Sequence, residues 1–105
     1  MGHWGSGEQL LRESIALAPQ VAGPRLDLAR YYATAGLWRP AVEQLRAATA
    51  VDRALVPAWA LLPRALLGAG DTTAAVAAAR EAMRRFPGDS EVVQGARSVL
   101  NAVAK

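Results

Sequence analysis

Arg30 and Arg64 stand thirty-four residues apart. Two guanidinium groups brought to one face would grip a carboxylate or an acidic peptide through charge-assisted hydrogen bonds, because the planar fork matches a carboxylate's two oxygens. A local reading competes. Asp27 lies three residues before Arg30, a spacing that suits an ion pair on a helix surface, and both arginines could simply be solvated. Little else in the chain offers reactivity. His3 is the only histidine and sits near a terminus. Cysteine is absent, which excludes disulfides, thiol catalysis and cysteine-ligated metals. No serine lies near a histidine as a nucleophilic triad would require, and the acids are scattered without metal or phosphate-loop spacing. Gly68-Ala69-Gly70-Asp71 reads as a turn between helices rather than a phosphate loop after a strand. These residues describe a binding protein with no catalysis, no metal and no cofactor.

The elements that must position the arginines are helices. A first runs from Glu8 to Leu17, with Leu10, Leu11, Ser14, Ile15 and Leu17 on or beside its buried stripe and Pro19 as its stop. A second begins near Pro24 and carries Leu28, Tyr31, Tyr32 and Ala35 up to Gly36; proline is tolerated in a first turn and glycine is favoured just past a helix end. A third starts around Arg39-Pro40 and shows Ala41, Leu45, Ala48 and Val51 at helical spacing. A fourth spans about 56–69 and a fifth about 73–86. A sixth starts near residue 90, with Asp89 or Ser90 as its N-cap. Turns this short force neighbouring helices antiparallel.

The interval between the arginines is also the period of the chain. Leu28 pairs with Leu62, Tyr32 with Leu66, Gly36 with Gly70, Ala41 with Ala75, and Ala48 with Ala82, each at the same separation and each alike in character. A fixed period of this length marks a solenoid of helical hairpins, in which every unit buries its apolar face only against its neighbours. Glycines at 36 and 70 are expected in the left-handed conformation that closes the first helix of a unit.

On these residues the chain resembles the tetratricopeptide repeat family. Trp59, Leu62, Leu66, Gly70-Asp71, Ala75, Ala82 and Pro87 fall at that family's spacing, and Leu28, Tyr32, Gly36, Trp38, Ala41, Leu45 and Ala48 do so one repeat earlier. Gly2 and Trp4 stand in register with Gly36 and Trp38, and Ala96 and Leu100 with Leu62 and Leu66. The resemblance implies an all-α, right-handed superhelical array of antiparallel helix pairs, about six helices in all. It divides into 1–21 as the second helix of a first hairpin, 22–55 and 56–89 as full repeats, and 90–105 as a capping helix or half-repeat. It implies a concave groove that takes a peptide or helix segment, lined by Leu26, Asp27, Arg30, Ala33 and Thr34, then Ala60, Leu61, Arg64 and Leu67, then Glu91, Gln94, Ser98 and Asn101. Chaperone-binding members hold a terminal carboxylate with lysine, asparagine and arginine; the matching positions here are Leu26, Arg30, Leu61, Glu91 and Gly95, so chaperone tails are not the expected ligand. Trp38 and Trp59 could bind a partner, but their register positions normally pack hairpins together. Three departures stand out. Arg53 replaces the usual proline, which predicts a looser turn or more continuous helices. Ala79 replaces the Leu45 of the previous unit, which predicts a less filled last hairpin. Pro63 lies in mid-helix, which predicts a kink near Trp59–Pro63.

Composition agrees with an interaction module. The 105 residues are 52% hydrophobic with low aromatic content, alanine being dominant. The net charge is only +3, and the pI near 10.2 reflects the fact that eleven of twelve basic residues are arginine. They are spread along the chain; the densest cluster, Arg80, Arg84 and Arg85, surrounds Glu81 and reads as a solvated helix face rather than a nucleic-acid patch. No apolar run is long enough to span a bilayer. The expected partner is therefore a protein or peptide, an acidic one being a candidate, with no nucleic acid and no membrane insertion. A homo-oligomer joined through the ends of the array is the alternative. The cytoplasm is slightly favoured, with the periplasm open if the chain is a piece of a longer protein. Alanine and arginine with a single lysine suggest a GC-rich bacterial genome. Residues 1–7, with Gly5-Ser6-Gly7, read equally as native sequence or as a vector-derived linker.

Overall fold

The structure, a computed structural model, describes residues 3–104. Gly2 and the side chains of His3 and Trp4 lie outside the described residues, and so do the expectations that rest on them. Six helices follow one another: α1 (His3–Leu17), α2 (Gly23–Thr34), α3 (Trp38–Val51), α4 (Val56–Gly68), α5 (Thr72–Arg85) and α6 (Ser90–Ala104). No strand occurs among the described residues, and no helix there is long and apolar enough to cross a membrane.

Local chemistry explains the boundaries. Pro24 and Pro57 sit in the first turns of α2 and α4, where the missing N–H costs nothing. Both helices end in the same hydrogen-bonded motif. The Leu37 N–H reaches back to the Tyr32 carbonyl at 2.8 Å, and the Asp71 N–H to the Leu66 carbonyl at 3.0 Å. That closure needs a left-handed residue between helix and next turn, and glycine supplies it at Gly36 (φ 76°) and Gly70 (φ 86°). Asp71 Oδ1 accepts the Ala74 N–H at 3.1 Å to open α5, and Asp89 Oδ1 accepts the Val92 N–H at 3.0 Å to open α6. Asp89, not Ser90, is thus the cap.

The connection at Arg53 is neither loose nor continuous. Asp52 closes it, its carboxylate accepting the Ala54 N–H at 3.0 Å and its carbonyl the Leu55 N–H at 3.2 Å. Pro63 does not break α4, which is unbroken from Val56 to Gly68 with the proline ring buried inside it. The missing backbone bond is offset by the apolar surface that the ring removes from water.

Helices pair in sequence, α2 with α3 and α4 with α5, and α4 and α6 wedge against the preceding pairs. Leu28, Leu45, Val92 and Val99 are the largest non-proline side chains fully buried, and Ala41, Ala48, Ala75, Ala79 and Ala82 are inaccessible to solvent. Alanine at these points lets helix backbones approach, and the leucines fill the space between hairpins. Ala79 leaves no exposed deficiency, being itself inaccessible to solvent.

Trp38, at the start of α3, lies flat against the end of α4. A Cβ added at Gly68 would meet its indole ring at 2.5 Å. Alanine normally gains about 1 kcal/mol over glycine inside a helix. Here the displaced ring reverses the sign, and Gly68→Ala is expected to destabilise by about 1–2 kcal/mol. Denaturant titration checks this, and Gly68→Ala combined with Trp38→Leu should recover the loss.

Among the described residues α1 packs on α2 alone, so Leu10, Ser14 and Leu17, expected on or beside a buried stripe, are exposed instead. Its anchor is polar: the Tyr32 hydroxyl donates to Glu8 Oε2 at 2.6 Å, Arg12 Nε donates to the same carboxylate oxygen at 3.0 Å, and Arg12 Nη2 donates to the tyrosine oxygen. The Tyr32 hydrogen bond, and then that of Arg12, hold the Glu8 carboxyl below the usual range. Burial pushes the Tyr32 phenol up. Leu66 stands one repeat after Tyr32, so this bond replaces an apolar contact made at the same register position.

Candidate functional site

Three helices, α2, α4 and α6, each turn one face toward a common cleft of about 560 Å³. From α2 it receives Arg30, Ala33 and Thr34; from α4 Pro57, Ala60, Leu61 and Arg64; from α6 Glu91, Gln94, Gly95 and Ser98. The shared face follows from the period. Residues one repeat apart on equivalent helices project in the same direction, and that brings Arg30 and Arg64 to one wall.

The cleft is lopsided, and one residue accounts for the narrow side. At Gly95 a Cβ would come 3.1 Å from the Ala60 carbonyl oxygen, so glycine lets α6 close onto α4. The equivalent positions in α4 and α2 are Leu61 and Asp27, and α2 stands well away from α4 except at a few points. The wide side of the cleft is therefore the side that carries the two arginines.

Both arginines are solvent-exposed. Asp27 Oδ1 lies 3.9 Å from Arg30 Nη1, the outer limit of an ion pair, with both side chains more than half exposed. Such a contact stabilises little and leaves Arg30 available. Arg64 has no ion-pair partner among the described residues. Opposite them on α6, Glu91, Gln94 and Ser98 add one carboxylate, one amide and one hydroxyl. Leu61 supplies an apolar contact between the two ends.

Not every residue expected in the groove reaches it. Leu26 is a correction: it is 6% exposed and belongs to the core. On α2 the inward stripe takes Leu26 along with Leu28 and Ala29, because the helix is covered on more than one side. Leu67 packs against the core. Asp27 lines a separate depression of about 350 Å³ on the far flank of Arg30, beside Tyr31. Asn101 is exposed but outside the cleft. Conversely, Pro57 lines the cleft without having been expected there, and Gly95, expected only as a position matching the carboxylate-holding residues, also lines it. A glycine in mid-helix was the available signal for Gly95, since it marks a close backbone approach.

Trp59 is half-buried, its indole Nε1 donating to the Arg53 carbonyl at 3.0 Å. It faces away from this cleft, toward Phe86 and Arg85. No group of three or more His, Asp or Glu able to hold a metal occurs among the described residues.

No family's sequence profile matches the chain, and no curated protein matches it. Solved structures do. The Sgt2 TPR domain from Aspergillus fumigatus superposes with a TM-score of 0.82 at 19% identity, over 96% of this chain and 68% of that one. The first TPR of Spaghetti (RPAP3), bound to the HSP90 peptide SRMEEVD, gives 0.82 at 15% identity, over 99% and 82%. The second TPR domain of human RPAP3, in complex with the HSP70 peptide SGPTIEEVD, gives 0.81 at 17% identity, over 93% and 82%. Identities this low speak to architecture alone, and the chain has the fold of a tetratricopeptide repeat domain.

Proposed function

We propose that the chain is a non-catalytic protein-interaction scaffold that takes an acidic peptide or helix segment of a partner in the α2–α4–α6 cleft. One observation carries this reading: Arg30 and Arg64, from equivalent turns of adjacent hairpins, line the same open wall without strong internal partners. The partner's carboxylates would sit on that wall, an apolar side chain against Leu61, and its backbone or polar groups against Gln94 and Ser98. Two of the structurally similar TPR domains hold chaperone peptides. The present cleft suits a different sequence, since Leu26 is in the core and Glu91 brings a negative charge to α6. Calorimetric titration with capped acidic peptides, with SRMEEVD as comparison, tests the reading. Micromolar binding of internal acidic segments, weakened by Arg30→Ala/Arg64→Ala, is the expected outcome. Binding indifferent to both substitutions would remove the arginine wall from the account.

A second reading rests on α1. Gly7 and Ser14 are exposed, whereas Ala41 and Ala48 in α3 and Ala75 and Ala82 in α5, at the same register positions, are fully buried. Leu10 and Leu17 beside them are 63% and 87% exposed. An open face of this kind would dock a helix, from another copy or from a partner. The opposite end is solvated: Arg97 is exposed where Ala29 and Pro63 are buried. Light scattering across a wide concentration range, with and without residues 1–7, separates the two. Mass that grows with concentration and reverts in Leu10→Glu supports docking through α1; a constant monomer mass counts against it.

A further inference from the structure

On the other side of α4, helices α3 and α5 make no close backbone approach among the described residues, and a trough of about 500 Å³ lies between them. Trp59 and Leu62 of α4 form its floor. Its walls carry small side chains, Thr49 and Ala50 on α3 and Ala74, Ala77 and Ala78 on α5. Arg46, Arg53 and Arg85 border it, and Glu81 is the one carboxylate in the lining. That carboxylate is already engaged, by Arg85 Nε at 2.6 Å and by Arg84. The guanidinium of Arg85 also lies over the Trp59 ring, 4.7 Å from its centre, and the indole is held from behind by its bond to the Arg53 carbonyl. Arg46 and Arg53 have no ion-pair partner among the described residues.

We propose that this trough is a second docking site, independent of the α2–α4–α6 cleft, and that it takes an acidic amphipathic helix of a partner protein, with Arg46 and Arg53 as the residues that read its charge. Shape argues for a helix. Both walls are helices antiparallel to α4 and hence parallel to each other. Lining residues on α5 extend from Ala74 to Arg85, roughly 16 Å or three helical turns. Walls of small side chains admit another helix at the close interaxial distances that bulkier side chains prevent, and the groove presents its anchors at helical spacing. Charge argues for acid. Three guanidinium groups face a single carboxylate whose charge is spent within the protein, so a neutral or basic helix would leave Arg46 and Arg53 facing it without compensation. Trp59 is a pre-ordered aromatic anchor of the kind that carries binding energy at interface centres, arginine being its usual companion.

The two sites use different residues and can be told apart in one experiment. A capped peptide of about fourteen residues, with leucine and alanine along one face and glutamate flanking it, is titrated into the ¹⁵N-labelled full chain, alongside its Glu→Lys counterpart. The expected result is saturable shifts of the Trp59 indole N–H and of the Ala50, Ala77 and Ala78 amides. Arg46→Glu/Arg53→Glu should weaken binding by about a hundredfold, as reversal of two charge-assisted contacts implies, while Arg30→Glu/Arg64→Glu leaves it within about twofold. All four arginines are exposed, and unchanged thermal melts of the variants confirm that the fold is intact. Shifts confined to the α2–α4–α6 cleft, equal binding of the lysine peptide, or no saturable shift up to about 1 mM peptide would each overturn the proposal.

Discussion

Leu28→Ala is expected to lower the unfolding free energy by about 3–4 kcal/mol. Leu28 is completely inaccessible to solvent and belongs to α2, the helix against which α1, α3 and part of α4 pack. Shortening it removes buried methyl groups and leaves a cavity that surrounding helices, already in close contact through alanines, have little freedom to fill. A domain of this size has about 5–15 kcal/mol in total, so a single substitution would consume a large share. Urea unfolding should show a lower midpoint with an unchanged slope. Leu10→Ala, on the exposed face of α1, is the control and should stay within about 0.5 kcal/mol. A loss below about 1 kcal/mol at Leu28 would mean that the hairpins do not unfold as one cooperative unit, since each would then carry its own stability.

For function, the largest expected effect is that of Arg30→Glu/Arg64→Glu on acidic-peptide binding. Each arginine would contribute about 1.5 kcal/mol through a charge-assisted bond, the low end of the range being appropriate for exposed side chains. Reversal replaces attraction by repulsion at both points, so affinity should fall by at least about a hundredfold, which is about 2.7 kcal/mol. The same peptide should bind more weakly to the unmodified chain as salt rises, because exposed charges are screened within about 8 Å at physiological ionic strength. Calorimetry at two salt concentrations measures both. A change smaller than about threefold on double reversal would show that the arginines are merely solvated and take no part in holding the peptide.

Repetition makes the two faces of α4 different in kind. Toward α2 and α6 it presents Pro57, Ala60, Leu61 and Arg64; toward α3 and α5 it presents Trp59 and Leu62. A helix at the centre of an array is covered along two stripes by its neighbours, and what remains are two opposite strips of surface. Each strip is bordered by a pair of non-adjacent helices and holds an arginine from more than one element.

Much of this arrangement was legible before any coordinate. The six helices, the left-handed glycines at 36 and 70, and the common orientation of Arg30 and Arg64 all follow from short-range rules and a constant period. A period converts local structure into relative position without knowledge of tertiary contacts. Side-chain periodicity also marked Leu28, Leu45, Leu62 and the alanines as interior, since their spacing along a helix allows no other common face. What the period could not say is how far each helix is covered. Leu26 reads as groove-lining by register but is buried, because coverage depends on how closely α2 is approached from either side. At Pro63, where a kink is expected, α4 continues unbroken with the proline ring buried, and that burial offsets the lost backbone bond. The closeness of α6 to α4 at Gly95, the wedge of Trp38 on Gly68, and the trough around Trp59 were all decided by tertiary structure. They arise from distances between helices, and those are set by the side-chain volumes that meet at each crossing, which pairs residues far apart in the chain such as Gly95 with Ala60 and Gly68 with Trp38.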